Sequence, residues 1–142
     1  MRGIFEGLEG AGQPVILPLH PRTRNKLQQI NLLLPSNIHV VEPVGYLEMV
    51  WLEANCNLVA TDSGGVQKEA YFHQKPCVTL RDETEWVELV EGGFNTLAGA
   101  DAGKINCAIN KNLKLDFSSL LYGDGQTSKS ITETLKNPNA EL

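Results

Sequence analysis

Leu58-Val59-Ala60-Thr61-Asp62-Ser63-Gly64-Gly65-Val66-Gln67-Lys68-Glu69-Ala70-Tyr71-Phe72 is the stretch on which the fold turns. The apolar run Leu58-Val59-Ala60 reads as a buried strand and Val66 to Phe72 as a helix. Between them a Ser-Gly-Gly turn leaves backbone N–H groups without partners at the helix start, where the positive end of the helix dipole also lies. Such a turn suits an anion such as a phosphate, and two glycines let a ligand come close to the main chain. Glu69 falls about one helical turn further in, where a carboxylate could accept hydrogen bonds from sugar hydroxyls. The spacing suggests a nucleotide or nucleotide-sugar diphosphate site. The turn taken alone also fits an ordinary strand-to-helix junction with Ser63 as a plain N-cap.

Outward from this stretch the pattern repeats. Pro14 to Leu19, Ile38 to Val41, Asn57 to Ala60, Cys77 to Leu80 and Asn95 to Leu97 read as strands. Helices are expected over Arg2 to Gly10, Arg22 to Leu33, Tyr46 to Glu53, Val66 to Phe72, Glu85 to Gly92, Ala102 to Leu113 and Ser128 to Leu135. Strands apolar on both faces and separated by helices imply an α/β protein with a doubly wound, Rossmann-like parallel sheet. Right-handed crossovers then place ligand loops at the carboxyl ends of the strands, where the candidate site residues fall.

Composition narrows the function. A chain of 142 residues is enough for one domain with a real core; we divide it into a domain over 1–136 and a frayed tail over 137–142. A net charge of −5 with no long basic cluster argues against nucleic acid. No apolar run approaches the roughly 20 residues of a membrane span, and Glu6 and Glu9 follow Arg2 too early for a signal peptide, so a cytoplasmic location is expected. Cys56, Cys77 and Cys107 are odd in number and widely spaced, which disfavours both a disulfide framework and a metal site. Arg22, Arg24 and Lys26 form the densest positive patch, either a solvated helix face or a contact for a phosphate or partner domain.

Thr61 to Ala70, then Lys75-Pro76-Cys77-Val78-Thr79-Leu80-Arg81-Asp82-Glu83-Thr84-Glu85-Trp86-Val87-Glu88, with Leu19-His20-Pro21-Arg22 before and Tyr122-Gly123-Asp124-Gly125 after, closely resemble the UDP-N-acetylglucosamine 2-epimerases. The resemblance covers essentially the whole chain, in order, but only the second of the family's two Rossmann-like domains. It therefore implies the C-terminal half of a GT-B type fold, with the nucleotide-sugar in a cleft against the missing N-terminal domain. The Arg81 to Trp86 version looks like the branch acting on modified or oxidised UDP-sugars.

By that resemblance Ser63 and Gly64 hold the diphosphate, Glu69 receives the ribose hydroxyls, and the main chain at Met49 contacts the uracil. Arg81 is left between ligand contact and structural pairing, while Asp82 and Glu85 are expected to cap the following helix. His20 matches a histidine that lines a regulatory UDP-sugar site in some bacterial members, although Pro21-Arg22 departs from their motif. His39 and His73 read as surface or edge residues, and the Tyr122 to Gly125 turn as a structural device that positions the last helix. The implied activity is C2 epimerisation of a UDP-2-acetamido sugar by elimination and re-addition of UDP, without cofactor or metal. No catalytic residue is expected within this stretch, so the chain alone is expected to bind UDP or the UDP-sugar weakly and to turn nothing over. A glycosyltransferase donor domain and a non-catalytic nucleotide-binding or assembly module are the competing classes. A final helix without its docking surface makes a homodimer conceivable.

Overall fold

The computed structural model describes residues 1–111 and 114–136. Among the described residues, five strands alternate with the first six helices, and a seventh helix follows the sixth with no strand between them. β1 (Val15–Pro18) pairs in parallel with β2 (Ile38–Val41), in the register Val15 to Ile38. β3 (Val59–Thr61), β4 (Cys77–Thr79) and β5 (Asn95–Leu97) form a second parallel set, with Val59, Cys77 and Asn95 in line. The expected α/β fold with parallel strands is present, and each expected strand is found within one or two residues of its anticipated ends. The hydrogen-bonded pairings nonetheless fall into a two-stranded and a three-stranded sheet. One hydrophobic core joins the two, running from Leu19 and Ile38 to Val78 and Ala98.

Helices cover this core because their apolar residues recur at helical spacing. α1 (Arg2–Glu9) buries Phe5 and Leu8 and packs on α6 (Ala102–Asn110) through Ile105 and Ala108. Gly7 makes the close approach possible, since a Cβ there would come within 2.7 Å of the Ile105 Cβ. Full burial of Ile105 is worth about 1.5–3 kcal/mol. Asp101 caps α6, its Oδ1 accepting from the Lys104 N–H at 2.8 Å.

α2 spans Pro21–Gln29, shorter than the expected Arg22 to Leu33. It starts with proline in its first turn, and His20 Nδ1 accepts from the Arg22 N–H at 3.2 Å. It stops early because Asn31 takes a left-handed conformation (φ 47). The chain then turns Leu32 and Leu34 onto the core while Leu33 stays exposed. α3 (Tyr46–Asn55) and α4 (Gly64–Phe72) lie side by side, followed by the short α5 (Val87–Glu91). The last helix, α7 (Thr127–Lys136), buries no residue and leaves Ile131 and Leu135 exposed. α6 ends at Asn110, where Lys111 turns extended, short of the anticipated Leu113; Leu113 itself and the tail over 137–142 lie outside the described residues. Among the described residues no helix is long and apolar enough to cross a membrane.

Candidate functional site

The carboxyl end of β3 delivers Asp62 and Ser63 directly to the start of α4. Ser63 occupies the N-cap position in an extended conformation, but its side chain makes no cap hydrogen bond. Its own N–H donates to Thr61 Oγ1 at 3.0 Å. The plain-cap reading of Ser63 is therefore not realised: the hydroxyl is exposed and uncommitted beside the N–H groups of the first turn of α4. A Cβ added at Gly65 would meet only Ser63 Oγ, at 3.9 Å, so the outer side of the turn is open.

The inner side is not open. A Cβ at Gly64 would overlap the Glu85 carboxylate and come within 3.5 Å of Trp86 Nε1. That indole N–H donates to the Gly64 carbonyl at 2.8 Å. Arg81 Nη1 stands 3.3 Å from Glu85 Oε2, so Arg81 arrives at the turn as half of an ion pair. Asp82 and Glu85 do not cap α5, whose N-cap is Trp86 without a side-chain bond. Glu85 is held instead by Arg81 and Gly64, and a Cβ at Gly99 would overlap Asp82. Ser63, Gly64 and Arg81 thus converge on one turn, with Glu85 and Trp86 as neighbours that the sequence did not single out for it.

Glu69 is half-buried on α4, facing the seam with α3. Met49 is half-buried in α3. Its N–H already donates to the Gly45 carbonyl at 3.0 Å, within the first helical turn. That departs from a main-chain contact through the Met49 N–H. The N–H groups that helix geometry leaves without intrahelical partners are one turn earlier, at Tyr46, Leu47 and Glu48, and Gly45 supplies no side-chain cap. His20 lies apart from the turn, exposed, with Nδ1 engaged in capping α2.

Glu53 is not among the residues singled out from the sequence. It is 3% exposed at the α3–α4 seam, and neither carboxylate oxygen has a hydrogen-bond partner. Burial first, and the Glu69 carboxylate second, push its pKa up to about 7. His73, read as a surface or edge histidine, is half-buried at the rim of this seam, with Nε2 at 3.9 Å from Glu53 Oε2. Nothing in a lone glutamate near the end of an amphipathic helix distinguishes a buried acid from a solvated one.

A second element fastens the site from outside. Lys68 Nζ lies 4.4 Å from the Trp86 ring centroid and 4.3 Å from that of Tyr122. Tyr122 also packs edge-on against Tyr71 and Phe72. Gly123 and Gly125 follow with φ 78 and 80, values that favour glycine, so the Tyr122 to Gly125 turn has the structural character expected of it. Among the described residues no group of His, Cys, Asp and Glu side chains could hold a metal ion.

Parallel strands separated by helices, with a Ser-Gly-Gly turn at the start of α4 and Arg81 just beyond the next strand, define a domain of the doubly wound α/β class. The sequence profile of the UDP-N-acetylglucosamine 2-epimerase family matches residues 1–136, and the chain belongs to that family. It is 52% identical over 126 residues to the UDP-2,3-diacetamido-2,3-dideoxy-D-glucuronate 2-epimerase of Pseudomonas aeruginosa, covering 86% of this chain and 34% of that one. Against the UDP-N-acetylglucosamine 2-epimerase of Methanocaldococcus jannaschii it is 43% identical, covering 95% of this chain and 38% of the relative. The solved structure of the M. jannaschii enzyme superposes with a TM-score of 0.83 over 95% of this chain and 39% of that one. A second structure of that enzyme, in complex with UDP-GlcNAc and UDP, gives 0.79. The chain thus spans well under half the length of these relatives and corresponds to their C-terminal, GT-B type domain.

Proposed function

We propose that this chain is the UDP-binding half of a C2 epimerase for UDP-2-acetamido sugars. The observation that carries the reading is the uncommitted Ser63 hydroxyl beside the open Gly65 at the start of α4, with Arg81 brought to the same turn. In this reading Ser63 Oγ and the N–H groups of Gly64 and Gly65 hold the diphosphate, and Arg81 balances its charge. Glu69 accepts the ribose hydroxyls, and the start of α3, next to Met49, faces the base.

Epimerisation by elimination and re-addition of UDP asks two things of a protein: a base at C2 and stabilisation of the departing diphosphate. The Ser63 turn serves the second. The first falls to the part of the relatives that this chain does not span, which makes that part the expected partner. The 52% identity to an enzyme named for a diacetamido uronic acid supports a modified, acidic UDP-sugar as substrate. The Arg81 to Glu88 stretch, one of those that carry the resemblance to the epimerases, supports the epimerase class over a glycosyltransferase donor domain, as does the family match over residues 1–136.

The test is turnover. The chain alone, incubated with UDP-GlcNAc or a diacetamido uronate analogue, is expected to leave C2 unchanged by NMR. Inversion by the pure chain, abolished in Ser63→Ala, would show instead that the domain is a complete catalyst.

A further inference from the structure

We propose that Gln67 is a positioning residue whose buried amide holds the Arg81 to Trp86 loop against the Ser63 turn, so that Arg81 meets a bound diphosphate while Glu85 stays paired to Arg81 on the closed side of Gly64. The inference rests on the nucleotide reading above and deepens it.

Gln67 is 0% exposed one turn inside α4. Its Oε1 accepts from Thr84 Oγ1 at 2.6 Å and from Asn95 Nδ2 at 3.0 Å. Asn95 Oδ1 in turn accepts from Thr79 Oγ1 at 2.9 Å. A buried polar chain therefore runs from β4 through β5 and α4 into the loop. Thr84 Oγ1 also accepts from the Trp86 N–H at 3.1 Å, which fixes the turn of the loop itself. Three successive residues then engage the first turns of α4: Thr84 through Gln67, Glu85 against Gly64, and Trp86 through the Gly64 carbonyl.

The arrangement is not what packing alone would select. Gln67 Nε2 is buried with no hydrogen-bond partner, a desolvation cost that a leucine or methionine would avoid. What the amide provides is direction. Between 81 and 85 the loop carries one cation, Arg81, and three carboxylates, Asp82, Glu83 and Glu85. Anchored, the loop keeps the one carboxylate that reaches the turn, Glu85, paired with Arg81 on the closed side of Gly64, and turns Asp82 toward Gly99. Released, it would let unpaired carboxylates sample the open side of the turn, by Gly65, and repel the ligand.

The experiment is an NMR titration of the full chain with UDP and, separately, with uridine, which lacks the phosphates. Gln67→Met and Thr84→Val are each expected to weaken UDP binding about tenfold and leave uridine binding unchanged, while Thr84→Ser restores UDP affinity. Arg81→Ala is expected to weaken UDP binding equally, and to add nothing in the Gln67→Met background. Equal losses for UDP and uridine, no loss for UDP, or additive effects of Arg81→Ala and Gln67→Met would overturn the proposal. Thr84 is not fully buried, so the Thr84→Val and Thr84→Ser pair decides the matter if Gln67→Met fails to fold. A wild-type chain that binds neither ligand removes the nucleotide reading itself, and this inference with it.

Discussion

The indole N–H of Trp86 donates to the Gly64 carbonyl at 2.8 Å, and its neighbour Glu85 fills the space that a Cβ on Gly64 would need. The two glycines of the turn therefore do different work. Gly64→Ala must displace Glu85, and with it the pair to Arg81, so it is expected to lower thermal stability by about 1–3 kcal/mol and to abolish UDP binding. Gly65→Ala meets nothing closer than 3.9 Å and is expected to leave the melting temperature unchanged. Thermal unfolding of both variants checks this; equal melting temperatures would contradict it.

Glu53 makes the fold pH-sensitive. Its folded pKa of about 7 lies above the ordinary carboxyl value of 4.5. Between those values the folded chain therefore holds a proton that the unfolded chain has released. Stability from this group is full below pH ~4.5, falls as pH rises towards 7, and is level above it. The shift corresponds to a loss of about 3 kcal/mol as an upper limit. Glu69, His73, Cys56 and Cys77 are its charged or titratable neighbours. Glu53→Gln is expected to flatten the pH dependence of denaturant unfolding between pH 5 and 7.5 and to stabilise the chain at pH 8. An unchanged slope would place the titration elsewhere.

Lys68 stacks over Trp86 and Tyr122, which ties the Tyr122 to Gly125 turn to α4, the helix that follows the Ser63 turn. Lys68→Met is expected to cost about 1 kcal/mol and to raise hydrogen exchange around Tyr122. Lys68→Arg is expected to retain most of the stability, because a guanidinium also stacks on aromatic faces. Equal losses for both substitutions would deny the cation a role.

The gap between the two sheets predicts an exchange pattern. Val15 and Leu19 donate toward β2, and Val59 donates toward β4. Backbone groups alternate along a strand, so those of Ile16 and Ala60 point to the unpaired edges of β1 and β3. Their amides are expected to exchange faster than those of Leu17 and Val78. Comparable protection would mean that β1 and β3 pair directly.

What was legible follows from what is local. Strand and helix order could be read because apolar runs such as Leu58 to Ala60 and turn residues such as Ser63 and Gly64 act within a few positions. Ser63, Gly64 and Arg81 could be anticipated at one turn because doubly wound sheets bring strand ends together. The early end of α2 could not, since it depends on Asn31 taking a left-handed conformation. Nor could the placement of Glu85 on Gly64, the Gln67 network or the burial of Glu53, each of which depends on contacts between elements distant in sequence. The break in the sheet is likewise a property of strand neighbours, which no periodicity records.

The measurement that tests the central claim most directly is a calorimetric titration of the chain with UDP, beside Ser63→Ala and Glu69→Ala. The account predicts weak binding to the wild-type chain that is lost in both variants, with their folds intact by circular dichroism. UDP binding that survives both substitutions would contradict it, by placing the nucleotide somewhere other than the Ser63 turn.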